Sequence, residues 1–152
     1  MVEKAFSFEL KNDPSELNRL CQHCEKVGHT IGLSKKAIFE INLALDELFT
    51  NIISYGFKDK EEHKIHIQIA VDEKELTLRV EDSGVPFNPL EAQAPNFNCT
   101  IEECQIGGLG IHLIKKVMDK VLYKRKADKN VLLLKKKISG LDEKLLEKLE
   151  LE

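Results

Sequence analysis

Apolar residues along this chain change their period several times, and each change marks an element. Phe6, Phe8 and Leu10 alternate with Ser7 and Glu9, the two-residue period of a half-buried strand. Asp13-Pro14-Ser15-Glu16 supplies an N-cap, a proline at the first helical position and a capping-box acid, so the spacing predicts a helix running to about Gly28. Ser34 can cap the next helix, where Ile38, Ile41, Leu45, Leu48, Ile52 and Tyr55 recur at steps of three and four before Gly56 stops it. Ile65, Ile67, Ile69 and Val71 return to period two, as do Leu76, Leu78 and Val80 beyond the turn Asp72-Glu73-Lys74, which predicts an antiparallel hairpin. From Asn88 to Ile106 no period is visible, the mark of a functional lid or a disordered stretch. Ile111, Leu113, Ile114, Val117 and Met118 predict a third helix, followed by strands at about Val121–Tyr123 and Val131–Leu134. Leu141, Leu145 and Leu149 predict an amphipathic helix over 139–152, which either packs on its own domain or makes a homodimer or partner contact. Its last two residues, Leu151-Glu152, match a cloning remnant.

Composition narrows the setting. With 152 residues, 42% hydrophobic and 32% charged, the chain is the size of one domain able to bury a core. A formal net charge of -3 supplies no global positive field for a nucleic-acid backbone, and Lys124-Arg125-Lys126 and Lys135-Lys136-Lys137 read as solvated strand ends. Met1-Val2-Glu3-Lys4 does not begin a basic-then-apolar leader, and no apolar run approaches the roughly 18 residues of a membrane span, so the expectation is a cytoplasmic protein off the membrane. Cys21 and Cys24 fall on one helical stripe with Leu17 and Leu20, which favours small core residues over a zinc knuckle and free thiols over a disulfide. Cys99 and Cys104 complete the set of four.

Candidate chemistry gathers in three segments. Glu47 and Asn51, four residues apart on the second helix, share one face and can reach the same ligand. Asp82 falls in register with Leu76, Leu78 and Val80 and should point inward, where a carboxylate needs a specific donor. The exocyclic amine of adenine is one such donor; the turn at Ser83-Gly84, capped by Asp82, is the other reading. Gly84 suits either, since glycine admits positive φ or the close approach of a ligand. Gly107, Gly108 and Gly110 open the third helix, whose N-terminal amides can then meet phosphate oxygens. The combination suggests ATP with a divalent metal. Gly-Gly-x-Gly lacks the Gly-Lys-Ser/Thr ending of a P-loop and follows no buried strand, so it is neither that motif nor a dinucleotide fingerprint.

In order and spacing these segments resemble the boxes of the Bergerat-fold (GHKL) ATPases, the group that includes gyrase and the histidine kinases. Ala44-Leu45-Asp46-Glu47-Leu48-Phe49-Thr50-Asn51 resembles the N box, Val80-Glu81-Asp82-Ser83-Gly84 the first glycine box and Gly107-Gly108-Leu109-Gly110-Ile111 the second. The resemblance implies an α+β fold, a two-layer sandwich whose mostly antiparallel sheet carries helices on one face, over residues 1–138. It also implies that Asn51 coordinates Mg²⁺, Asp82 reads the adenine amine, Gly84 shapes the base pocket, and Gly107, Gly108 and Gly110 hold the phosphate side of a lid. In size, and in Val85-Pro86-Phe87-Asn88-Pro89, the chain is most similar to the stand-alone anti-sigma-factor serine/threonine kinases, whose partners are anti-anti-sigma (STAS-type) proteins and sigma factors. Glu47 would then be the catalytic base, with Asp46, rotated about 100° around the helix, the weaker candidate. One departure stands out: the last strand usually begins Gly-Thr, and here it reads Asp128-Lys129-Asn130-Val131. The alternative function is a nucleotide-dependent binding module that sequesters a regulator without phosphorylating it.

Overall fold

A computed structural model describes residues 4–88 and 108–138. The strands are β1 (Lys4–Lys11), β2 (Lys64–Val71), β3 (Glu75–Asp82), β4 (Lys120–Lys126) and β5 (Lys129–Lys137), and the helices α1 (Leu17–Ile31), α2 (Lys35–Tyr55) and α3 (Gly108–Val117). They form one five-stranded sheet of order β1-β2-β3-β5-β4 in which every neighbouring pair is antiparallel. This is the expected α+β arrangement. The predicted C-terminal helix over 139–152, most of the aperiodic stretch, Gly107, Cys99 and Cys104 lie outside the described residues.

Alternation decides which side of the sheet the helices cover. Leu76, Leu78 and Val80 of β3 are buried together with Ile65, Ile67, Ile69 and Val71 of β2, while Thr77, Arg79 and Glu81 take the opposite face. Against that apolar face lies α2, whose Ile41, Leu45, Leu48 and Ile52 are buried on one stripe, with α1 and α3 packed on it. α1 also reaches the edge strand, where the ring of His23 stacks on Phe8 at 4.1 Å between centroids. A helix layer on one sheet face is the two-layer solution that buries both apolar surfaces.

Three local expectations are corrected. α1 does not stop at Gly28 but runs to Ile31 and ends on Gly32, whose φ of 78° is the left-handed conformation glycine adopts without strain. Gly28 is instead a point of close helix contact: a Cβ there would sit 2.4 Å from Ile38 Cγ1 on α2. The capping-box acid is also used differently, since Glu16 Oε1 accepts from the Lys11 amide at 3.0 Å while Asp13 Oδ1 caps Ser15 N at 2.9 Å, and the first turn is 3-10. Finally, Lys136 is not a solvated strand end. It shares the covered face with Leu134, and its Nζ meets Glu40 Oε2 of α2 at 2.5 Å and the Val117 carbonyl ending α3 at 2.7 Å. The predicted Ser34 cap holds, its Oγ accepting from Ala37 N at 3.1 Å.

Candidate functional site

The covered face runs out of apolar residues at one end of β3 and β5, and polar groups replace them there. Asp82 follows Val80 on the same face, and its register partner on β5 is Asn130, which precedes Leu132 and Leu134. Both are 3% exposed. Across them on α2 is Asn51, 4% exposed, one turn after Glu47. Asn51, Asp82 and Asn130 line one small cavity with Leu48, Ile52, Gly56, Phe87 and Leu132, whose volume of about 10 Å³ is room for about one water, so a ligand larger than that needs the lining to open. That is apolar lining with a few convergent polar groups, the usual make-up of a small-molecule site.

Asp82 answers both readings of its sequence position. It stays in the strand and points inward, and its Oδ1 also accepts from Gly84 N at 2.8 Å, closing the turn. The same oxygen accepts from Asn130 Nδ2 at 3.1 Å. Among the described residues no hydrogen bond reaches Oδ2. Burial pushes the Asp82 carboxyl above the ordinary carboxylate range, while the Asn130 and Gly84 hydrogen bonds and nearby Arg125 draw it back by favouring the charged form.

Gly84 is required sterically. A Cβ on it would lie 2.2 Å from the Gly56 carbonyl oxygen and 2.8 Å from Asp82 Oδ1, and Val85 N donates to that Gly56 carbonyl at 2.8 Å. Gly56, expected only as a helix stop, therefore joins the end of α2 to the turn after β3. It does so with an ordinary right-handed φ of -81°.

Of the other sequence-predicted residues, Glu47 is half-buried on α2 and is not in the cavity wall, and Gly108 and Gly110 lie inside the first turn of α3 rather than before it. Asp46 lies near α1, where after burial itself its charge is the next cause raising Cys24, pushed up to about 12. Asp46 is itself raised by burial and by the charge of Glu47. Cys21 and Cys24 are free thiols, and among the described residues they join no cluster of metal-ligating side chains. Sequence reasoning passed over Asn130, Tyr123 and Arg125. For Asn130 a signal was present: it shares the alternating face of Leu132 and Leu134 as Asp82 shares that of Leu78 and Val80.

The donor set is suited to a purine nucleotide with a hard cation. A buried carboxylate with one oxygen held and, among the described residues, no hydrogen bond to the other can accept from an exocyclic amine, and the Asn51 carboxamide offers the kind of neutral oxygen that Mg²⁺ can take as a ligand.

Comparison with known proteins gives the class. The profile described as a histidine kinase-like ATPase domain matches residues 10–136, and the chain belongs to that ATP-binding family. Among curated proteins it is 29% identical over 101 residues to the serine/threonine-protein kinase BtrW of Bordetella bronchiseptica, covering 66% of this chain and 71% of that protein. It is 34% identical over 95 residues to the serine-protein kinase RsbW of Listeria monocytogenes, covering 59% of this chain and 60% of that protein. With the anti-sigma F factor of Clostridium novyi it shares 26% identity over 107 residues, 69% of this chain and 74% of that protein. The fold is also that of the Acinetobacter baumannii histidine kinase AdeS, with a TM-score of 0.51 and 15% identity over 92% of this chain and 69% of that one. Among the described residues no helix is long and apolar enough to cross a membrane.

Proposed function

We propose that this chain is an ATP-dependent protein serine/threonine kinase of the anti-sigma type, passing the γ-phosphoryl group of ATP to a serine or threonine of an anti-anti-sigma partner and binding a sigma factor in the same regulatory circuit. The observation that supports it most is Asp82, a carboxylate buried at the end of an apolar strand face with one oxygen held by Gly84 and Asn130 and no hydrogen bond to the other among the described residues. A buried carboxylate costs several kcal/mol unless it is paired or hydrogen-bonded, and a ligand amine would add a donor to the two that Gly84 and Asn130 already supply. The kinase names of the relatives supply the reaction class. Free Cys21 and Cys24 suit the reducing cytoplasm as its compartment.

In this reading Asp82 Oδ2 accepts from the exocyclic amine of adenine, and Gly84, lacking a Cβ, lets the base lie against the turn. Asn51 is the side chain that would hold Mg²⁺, and the α3 N-terminus with Gly108 and Gly110 the end that would meet phosphate oxygens. When bound, Mg²⁺ neutralises charge on the phosphate oxygens. Glu47 takes the proton of the acceptor hydroxyl as that oxygen forms its bond to phosphorus and ADP leaves, a contribution of roughly 10² to 10⁴ in rate.

Incubation with γ-labelled ATP, Mg²⁺ and candidate anti-anti-sigma proteins tests the reading. Label should appear on a serine or threonine of the partner. Glu47→Ala should retain Mg·ATP binding and lose transfer, whereas Asn51→Ala should lose the metal-dependent part of binding itself. Nucleotide-dependent partner binding with no label would select the sequestering module instead, and a wild-type transfer rate in Glu47→Ala would remove Glu47 as the base.

A further inference from the structure

Residues of the β4–β5 hairpin hold the turn that follows β3, and Asn130 is their centre. Its register partners are Asp82 on β3 and Arg125 on β4. The Asn130 Nδ2 donates to Asp82 Oδ1 at 3.1 Å and to the Val85 carbonyl at 2.8 Å. Its Oδ1 accepts from Phe87 N at 3.3 Å and from the Tyr123 hydroxyl at 2.5 Å. Both amide hydrogens and both lone pairs are thereby in use. The partners also fix which end of the carboxamide faces Asp82, because the Phe87 amide can only donate and the Val85 carbonyl only accept. Arg125 Nη1 donates to the Gly84 carbonyl at 2.8 Å and pins the same turn.

We infer that Asn130 is a positioning residue for base selection: it occupies Asp82 Oδ1 and tethers Val85 and Phe87 beside the cavity, so that Oδ2 is the acceptor left to meet a base bearing an amine. The inference rests on the nucleotide reading of Asp82. With all four of its hydrogen-bonding positions committed, Asn130 acts on the ligand through the carboxylate rather than by touching the base. A purine with a carbonyl in place of the amine sets oxygen against a carboxylate that cannot turn away, so it is rejected. An unheld Asp82 could rotate, and the rejection would weaken.

Calorimetric titration of Mg·ATP, Mg·ITP, ADP and AMP into wild type, Asn130→Asp and Asn130→Ala tests this, since hypoxanthine carries a carbonyl where adenine carries its amine. Wild type should prefer ATP over ITP by roughly tenfold to a hundredfold, the range of one hydrogen bond to a charged group. Both variants should lose most of that preference while keeping the wild-type ratio of ADP to AMP affinity, which the phosphate side sets. Asn130→Asp keeps the shape and removes the donor, so full preference in that variant overturns the inference. Equal weakening of every nucleotide with the preference intact overturns it too, because Asn130 would then be a general brace. Should neither variant fold, Tyr123→Phe removes one hydrogen bond from Asn130 Oδ1; a reduced preference there supports the inference and an unchanged one overturns it. Wild type that fails to distinguish ATP from ITP refutes the Asp82 reading itself, whereas variants that distinguish them as well as wild type refute only the role of Asn130.

Discussion

In the proposed function Asp82 serves a ligand rather than the fold, and its titration carries the consequence. Burial raises its native pKa above the unfolded value, so the native state holds the proton more readily than the unfolded chain does. Between those two values stability falls as pH rises, and at neutral pH the ionised carboxylate is a net cost to the free protein. Asp13, Asp59 and Asp72 behave in the opposite sense, each lowered chiefly by a hydrogen bond to its carboxylate, and whatever they contribute is lost in acid. The Asp82 effect therefore has to be read as a difference between two proteins. In Asp82→Asn the amide oxygen can still accept from Gly84 N and Asn130 Nδ2, so its thermal midpoint at pH 7 should equal or exceed that of wild type, the gap closing towards pH 4. A midpoint lowered by the equivalent of more than about 1 kcal/mol at pH 7 would make the carboxylate a structural cap.

At the scale of elements, the site exists because the end of α2 and the turn after β3 touch without side chains between them. Gly84→Ala drives a methyl into the Gly56 carbonyl, a backbone atom that cannot swing aside. The variant should lose about 1–3 kcal/mol of stability, as overpacked sites do, together with nucleotide affinity; thermal melts and calorimetry read the two separately. Unchanged stability and affinity would mean the turn has room to open. Much of this layer was legible in the sequence. Strict alternation in β2 and β3 gave the hairpin and the inward face of Asp82, and the three-four steps from Ile38 to Tyr55 gave α2. The end of α1 was not legible, because Gly28 looks like a helix stop until Ile38 of another helix is seen to occupy the space beside it. A glycine's reason can lie in a neighbour that local pattern does not contain.

The same limit governs the whole molecule, where α2, β3 and β5 bring Asn51, Asp82 and Asn130 to one cavity from separate parts of the chain. Two of the three were recognisable because they sit inside motifs. Asn130 lies in Asp128-Lys129-Asn130-Val131, which departs from the Gly-Thr start of the related pattern, and it pairs with a residue 48 positions away that only strand register reveals. Lys136 was misread for the same reason: in a basic run it looks solvated, but alternation from Leu132 and Leu134 turns it inward, where Glu40 meets it. These pairings make the sheet and helix layer one unit around the site, and they predict that the altered last strand supports nucleotide binding rather than abolishing it. The most direct measurement is calorimetric titration of Mg·ATP into wild type and into Asp82→Asn shown to be folded by circular dichroism. Wild type should bind, and the variant, which sets an amide donor against the adenine amine, should bind at least about tenfold more weakly. Equal affinity in a folded Asp82→Asn would contradict the account.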